Sequence, residues 1–149
     1  MLKLVLPAAI ALLVSATPAL ANEGRVEVRG GYTSIVSLSE AVVGIAAGYD
    51  ADVGGKAFVG GEVSVDKVLN GAFDEVYGIT ARAGVKLNDD ARVFVAGGHS
   101  FGNGDSWHAG IGAEHNLGSN IYAKLEHRRN FTNFGFDFDT TVIGFGIKF

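Results

Sequence analysis

The residues most able to do chemistry lie in Gly98-His-Ser-Phe-Gly102, which matches the G-x-S-x-G motif. In that motif a serine sits at a sharp turn between a strand and a helix, where its hydroxyl can act as a nucleophile. A glycine-rich turn and another alternating segment follow Gly102, and no stretch after residue 21 has the period of a helix. The pattern therefore predicts a glycine-rich strand end and not a hydrolase.

Covalent catalysis would also need a serine and a histidine side by side. His99 and Ser100 are adjacent in the chain, but adjacent side chains of a strand point to opposite faces. His127 has no serine two positions away, where a residue on its own face would lie. We therefore predict that the protein is not an enzyme.

The four histidines could bind a metal only as part of a cluster of ligands. The chain has no cysteine and no H-x-x-x-H pattern. His108 and Glu114 are expected on the same face of a strand, but six residues of a strand separate them by about 20 Å. We predict neither a metal site nor a cofactor.

The elements that must position these residues are strands, because side chains after residue 21 alternate between apolar types and polar or small types. Each alternating segment is about ten residues long, the length that a tilted strand needs to cross a membrane. The eight predicted strands are Gly24–Thr33, Glu40–Asp50, Lys56–Asp66, Glu75–Leu87, Ala91–Phe101, Asp105–His115, Asn120–Arg129 and Thr140–Phe149.

Eight strands of this kind predict an all-β fold, an antiparallel up-and-down transmembrane β-barrel, because closure leaves no unpaired edge in hydrocarbon. Eight strands enclose a lumen that side chains fill. Ten charged residues are predicted to point inward and to pair with one another, since an isolated buried charge costs several kcal/mol. They are Glu27, Arg29, Glu62, Arg82, Lys86, Glu114, Lys124, Glu126, Arg128 and Lys148.

The outward faces are predicted to be apolar, with aromatic girdles near the two membrane interfaces. The girdle residues are Tyr32, Tyr49, Tyr77, Phe101 and Trp107. The predicted strand Ala91–Phe101 is ambiguous, because a slip of one residue would reverse its faces. We place Val93 and Val95 outward and Arg92 and Phe94 inward.

The first 21 residues are predicted to be a cleaved signal peptide, which leaves residues 22–149 as one barrel domain. Lys3 precedes an apolar stretch of about ten residues, and Ala19-Leu-Ala21 is an A-x-A cleavage site. The chain is 48% hydrophobic and has a net charge of −4 with no basic run. Nucleic acid is therefore not an expected partner.

The whole chain after residue 21 resembles the small eight-stranded outer-membrane barrel family, which includes the transmembrane domain of outer-membrane protein A, outer-membrane protein X and the opacity-type proteins. The residues that carry this resemblance are Gly144-Phe-Gly-Ile-Lys-Phe149, Gly110-Ile-Gly-Ala-Glu114 and Tyr122-Ala-Lys-Leu-Glu126. The resemblance implies a Gram-negative outer membrane, contact with its lipid and lipopolysaccharide, and assembly by the barrel assembly machinery. It also implies that Phe145, Ile147 and Phe149 form the assembly signal.

The function expected from these features is a structural or surface-interaction role in the cell outer membrane, without catalysis and as a monomer. Both chain termini are expected on the periplasmic side, with links at about 34–39, 67–74, 102–104 and 130–136 outside. In this reading the internal charge network plugs the lumen. One alternative is a small porin-like channel of low conductance. A further alternative is a soluble periplasmic barrel like a lipocalin, with its apolar faces turned inward.

Overall fold

The computed structural model describes residues 22–35, 38–69, 75–102, 105–133 and 135–149. The predicted signal peptide, at residues 1–21, lies outside these ranges. The described chain forms one closed barrel of eight strands. They are β1 Asn22–Ile35, β2 Leu38–Gly54, β3 Ala57–Val68, β4 Val76–Lys86, β5 Ala91–Gly102, β6 Ser106–Asn116, β7 Ile121–Thr132 and β8 Phe138–Lys148.

Every strand pairs antiparallel with the next along the chain, and β8 returns to pair with β1. In the closing pair Val28 lies opposite Phe145, and Tyr32 lies opposite Thr141. Closure leaves no strand with a free row of amide groups, which is the property that a β-structure needs in hydrocarbon. Within the described ranges, no helix is long and apolar enough to cross a membrane.

The two ends of the barrel differ in their connections. The inner end carries Asn22, the chain terminus and the tight turns that follow β2, β4 and β6. Gly54 and Gly55 adopt φ values of 118° and 55° in the first of these turns, a backbone region that glycine occupies without strain. In the second turn the Asn88 side-chain oxygen accepts hydrogen bonds from the backbone amides of Asp90 and Ala91. The links after β1, β3, β5 and β7 define the outer end.

The alternation of side chains sorts apolar residues outward and polar residues inward. Ile111 is 64% exposed on the outer surface of the barrel, whereas the next inward charge, Glu114, is 2% exposed. In β5 the side chains of Arg92 and Phe94 are buried and that of Val95 is exposed, so the predicted register of this strand is confirmed. A lipocalin-like barrel would have the reverse arrangement, and that alternative is wrong for this chain.

Two strands extend three or more residues beyond their predicted ends. The stretch from Ala51 to Gly54 lies beyond the predicted end of the second strand at Asp50, but it continues β2 and pairs with β3 through a register shift between Asp52 and Gly54. In β7 pairing continues past Arg129 to Thr132, which lies opposite Ser106, the first residue of β6. Turn-forming residue types therefore stay in the ladder where the neighbouring strand still offers hydrogen-bond partners.

Candidate functional site

The barrel interior holds the predicted charged residues, all of them buried except Lys86. The Lys86 side chain is 40% exposed at the inner end and pairs with Asp52 at 2.6 Å. It therefore lies outside the buried network, because it is the last residue of β4 and its long side chain reaches solvent. Five further charged residues, missing from the predicted set, join the network: Glu23, Arg25, Asp50, Asp66 and Arg92.

An outer cluster of charges is centred on Glu62 of β3. Its carboxylate lies 3.0 Å from Arg25 and 3.0 Å from Arg29, both on β1. It also lies 3.3 Å from Lys124 and 3.1 Å from Arg128, both on β7. One carboxylate on β3 therefore contacts side chains of β1 and β7, neither of which is a hydrogen-bonded neighbour of β3.

The remaining acids of the outer cluster neutralise these four cations. Arg29 donates to both oxygens of Asp66, at 2.8 and 2.5 Å. Lys124 lies 2.5 Å from Glu27 and 3.2 Å from Glu126, and the Tyr122 hydroxyl donates to Glu27 at 2.8 Å. Arg128 donates to Glu126 as well. Charge-assisted bonds of this kind are stronger than neutral ones.

An inner cluster surrounds Glu114 of β6 and Asp50 of β2. Arg82 donates to both carboxylates, and its Nη1 atom lies 3.0 Å from Glu114. Arg92 also contacts both, and it lies 2.7 Å from Glu23 at the inner end. Lys148 lies 3.4 Å from the same Glu23. The two clusters together pair seven bases with seven acids, so the paired interior is formally neutral. The bases are Arg25, Arg29, Arg82, Arg92, Lys124, Arg128 and Lys148, and the acids are Glu23, Glu27, Asp50, Glu62, Asp66, Glu114 and Glu126.

Arg25 joins the two clusters. Its Nη2 atom lies 3.0 Å from Glu62 in the outer cluster, and its Nε atom lies 4.0 Å from Asp50 and 3.9 Å from Glu114 in the inner cluster. The side chain is 1% exposed. Gly48, on the neighbouring strand, leaves room for it, since a Cβ there would lie 2.5 Å from the guanidinium carbon.

Aromatic rings fill the inner half of the lumen around the charges. The Arg82 guanidinium lies 5.4 Å from the centre of the Phe58 ring and 4.8 Å from that of Phe94. The Lys148 ammonium lies 4.9 Å from the Tyr122 ring. These three rings are buried. Cation–π contacts of this type stabilise a charge where water is excluded.

His108 of β6 meets Ser100 of β5, which sequence reasoning did not foresee. Its Nδ1 atom lies 3.0 Å from the Ser100 hydroxyl, and its Nε2 atom lies 2.9 Å from the Thr80 hydroxyl. Cross-strand pairing of Gly98 with His108 creates this contact, whereas the sequence drew attention to the adjacent His99. A threonine stands where a catalytic triad has a carboxylate. Among the described residues, no group of three or more His, Cys, Asp or Glu could hold a metal ion.

A cavity opens at each end of the barrel, on either side of the charge network. The outer cavity has a volume of about 200 Å³, and the inner cavity has about 360 Å³. The outer cavity is lined by Arg29, Thr33, Glu40, Val42, Asp66, Val68, Val76, Ser100, Ser106, Arg128, Asn130, Thr132, Phe138, Thr140 and Val142. Its wall thus combines hydroxyl and amide groups with valine and phenylalanine.

The predicted girdle residues face outward. Near the outer end, Tyr77 stacks on Phe101 with ring centres 6.3 Å apart, and His99 lies 4.8 Å from the Trp107 ring. Tyr32 is exposed near the same end, whereas Tyr49 lies toward the inner end and is half-buried. The rings therefore occupy two levels of the outer surface.

The predicted assembly residues Phe145, Ile147 and Phe149 all project outward and are about half exposed. The chain ends in a paired position, because Phe149 and Gly24 exchange two backbone hydrogen bonds of 2.9 Å. The last residue thus takes part in closing the barrel.

Comparisons with known proteins agree with this architecture. The family described as outer membrane protein beta-barrel domain matches residues 7–149. No curated protein matches the chain. The N-terminal barrel domain of Pseudomonas aeruginosa OprF is 12% identical with a TM-score of 0.61, over 84% of this chain and 97% of that one.

Two further solved structures have the same fold. Yersinia pestis Ail, crystallised with the heparin analogue sucrose octasulfate, is 13% identical with a TM-score of 0.61, over 86% of this chain and 97% of that one. Neisserial surface protein A is 16% identical with a TM-score of 0.52, over 86% of this chain and 97% of that one. Because the family match spans nearly the whole chain, the protein belongs to the outer membrane β-barrel domain family and resides in the outer membrane.

Proposed function

We propose that this chain is a non-catalytic, integral outer-membrane barrel with a structural or surface-interaction role, whose lumen is closed by its internal ion pairs. The observation that carries the proposal is the position of Arg25. It is buried between Glu62 and the pair formed by Asp50 and Glu114, and so connects the two charge clusters across the lumen.

The network fits a closed lumen because separating its members is costly. Removing one partner of a buried ion pair costs about 3–5 kcal/mol, since the other charge is left without compensation. The rings of Phe58, Phe94 and Tyr122 occupy the space beside the charges. An ion crossing the barrel would have to displace several of these groups together.

Conductance of the refolded barrel in a planar lipid bilayer tests the proposal, with heat-modifiable gel mobility as the check of folding. We expect a folded barrel without discrete current steps. The matched variants are Arg25→Met, which removes the connecting charge, and Arg129→Met, which removes a charge from the outward surface. Discrete current steps from the unmodified barrel would overturn the proposal that the ion pairs close the lumen.

A low-conductance channel is the second candidate, and two observations favour it. Cavities approach the network from both ends of the barrel, and the inner one is lined mainly by polar groups. The Nε and Nη1 atoms of Arg25 have no hydrogen-bond partner among the described residues. In a channel, current steps would be present in the unmodified barrel and would change in size when Arg82 or Glu62 is neutralised.

The biogenesis of the barrel is part of the same proposal. The chain is exported with cleavage after Ala21, and the barrel assembly machinery recognises the strand that contains Phe145, Ile147 and Phe149. The assembled barrel is a monomer surrounded by outer-membrane lipid. His127 and Arg129, exposed on the outward face of β7, lie among lipopolysaccharide phosphates. Mass spectrometry of the outer-membrane form tests the cleavage site, with Asn22 expected as its first residue.

A further inference from the structure

We propose that the outer cavity binds a single neutral sugar ring. The proposal rests on the surface-interaction role proposed above and names the class of ligand for it. The cavity opens at the outer end of the barrel, above the charge clusters, and its volume is about 200 Å³. Pockets for drug-sized ligands span about 300–1,000 Å³. One pyranose ring therefore suits this cavity better than an oligosaccharide.

Anionic ligands are disfavoured because the arginines in the cavity wall already have internal partners, whereas the Glu40 carboxylate, also in the wall, has no ion pair within the described residues. Arg29 directs Nε and Nη2 to Asp66 and Nη1 to Glu62. Arg128 donates to Glu126 and Glu62. An anion would have to compete with these short, buried pairs and would also meet the Glu40 carboxylate. A neutral ligand can bind without breaking them.

Several uncharged polar groups in the wall retain hydrogen-bonding capacity. The Ser106 side chain is 4% exposed and has no hydrogen-bond partner within the described residues. Asn130 donates only from Nδ2, to Phe138 and Thr140, which leaves its side-chain oxygen able to accept. Thr33 and Thr140 share a hydroxyl–hydroxyl contact of 3.2 Å; Thr33 also donates to the Asp139 carbonyl and Thr140 also accepts from Asn130, so each oxygen can still accept one hydrogen bond. Sugar hydroxyls both donate and accept, as these groups require.

The rest of the wall is apolar. Val42 and Val142 are buried at 5% and 3% exposure, and Phe138 lines the cavity near its mouth. A pyranose ring has C–H faces as well as hydroxyl edges, so valine and phenylalanine surfaces complement the part of the sugar that hydroxyl groups do not. A wall with both kinds of surface fits a sugar better than a fully polar solute.

The test is a titration of the folded barrel in lipid nanodiscs, followed by the amide chemical shifts. The probes are the methyl glycosides of glucose, galactose and mannose, with glucuronate and glucosamine as charged analogues. We expect saturable shifts that centre on Ser106, Asn130 and Thr140 for at least one neutral glycoside. No saturable shift for any of the three, or binding of the charged analogues alone, would overturn the proposal.

Matched variants locate the binding site. Ser106→Leu fills the cavity, whereas Ala109→Leu adds the same side chain to the lipid-facing surface of the same strand. Saturation should be lost in Ser106→Leu and kept in Ala109→Leu. Binding that survives in a folded Ser106→Leu barrel would show that the sugar binds elsewhere. If Ser106→Leu does not fold, Ser106→Ala should still fold and bind about fivefold more weakly, since it removes one uncharged hydrogen bond.

The source of the sugar is decided by competition. A soluble oligosaccharide ending in the bound sugar should displace the methyl glycoside if the natural ligand is the end of a glycan chain. Displacement by the free monosaccharide alone would indicate a diffusing solute. Bilayer conductance is measured without any sugar, so failure of the binding experiment leaves the plugged-lumen proposal standing, and the converse also holds.

Discussion

The Nη2 atom of Arg25 lies 3.0 Å from Oε2 of Glu62, although 37 residues separate the two in the chain. The first belongs to β1 and the second to β3, which are not hydrogen-bonded neighbours in the barrel. This contact therefore crosses the interior, and it makes Glu62 the shared acceptor of four cations.

Neutralising Glu62 should destabilise the barrel strongly. Glu62→Gln leaves Arg25, Arg29, Lys124 and Arg128 facing one another with one negative charge fewer. We expect the free energy of unfolding to fall by about 3–5 kcal/mol, the usual cost of breaking a buried pair. Urea unfolding in lipid vesicles, followed by gel mobility, measures this quantity.

The control for Glu62→Gln is the exposed pair of Lys67 and Glu75, whose atoms are 3.3 Å apart. Lys67→Gln should change the free energy of unfolding by no more than about 1 kcal/mol, because water screens an exposed pair. A loss as small in Glu62→Gln would show that the interior charges are not coupled as the distances suggest.

The sequence predicted the faces of the strands because alternation is a local property. The even or odd position of a residue along its strand decides whether its side chain points inward or outward, and Arg92 lies on a predicted inward face. Which inward charges meet is not local, since it depends on strand register and on the diameter of the closed barrel. The meeting of Ser100 with His108 belongs to the same class, because it depends on the pairing of β5 with β6.

The sequence also could not show where the interior is already full. By its position in the strand, Gly84 is an inward site, at which a lysine is predicted to cost less than at the lipid-facing Ala81 or Ile111. In the structure a Cβ at Gly84 would lie 2.7 Å from the Phe58 ring, so any larger side chain there displaces that ring. Glycine inside this barrel thus marks a place taken by a side chain from another strand.

A lysine on the lipid-facing surface should be costly in proportion to its depth. Ile111 is near the middle of β6 and Leu117 is in the turn just after that strand; they are 64% and 58% exposed on the protein surface. We expect Ile111→Lys to lower the free energy of unfolding in vesicles by about 2–4 kcal/mol and Leu117→Lys by about 0–1 kcal/mol. Equal costs at the two positions would mean that Ile111 does not face hydrocarbon.

Loss of the last residue should impair assembly. Phe149 exchanges two backbone hydrogen bonds with Gly24. Its ring packs against the Gly24 backbone so closely that a Cβ on Gly24 would lie 2.6 Å from the ring. Deleting Phe149 should lower the amount of heat-modifiable barrel in the outer membrane, whereas Phe149→Tyr should keep it, because an aromatic end is retained. Undiminished assembly of the deletion would count against a role for this residue in closing the barrel.

The orientation of the barrel can be read from single cysteines, because the chain has none of its own. Phe136 is 64% exposed in the link after β7, at the outer end. Gly118 is exposed in the turn after β6, at the inner end. On intact cells a membrane-impermeant maleimide should label Phe136→Cys at once and Gly118→Cys only after the outer membrane is permeabilised. The reverse order of labelling would show that the barrel has the opposite orientation in the outer membrane.

The depth of the outer aromatic level can be measured with the single tryptophan of the chain. Trp107 is the second residue of β6, it is 63% exposed, and its ring packs against His99 at the outer end. Tryptophan favours the boundary between hydrocarbon and head groups. Lipids brominated near the head group should therefore quench its fluorescence more than lipids brominated near the chain ends. Stronger quenching by the deep bromines would show that Trp107, and with it the outer aromatic level, lies nearer the bilayer centre.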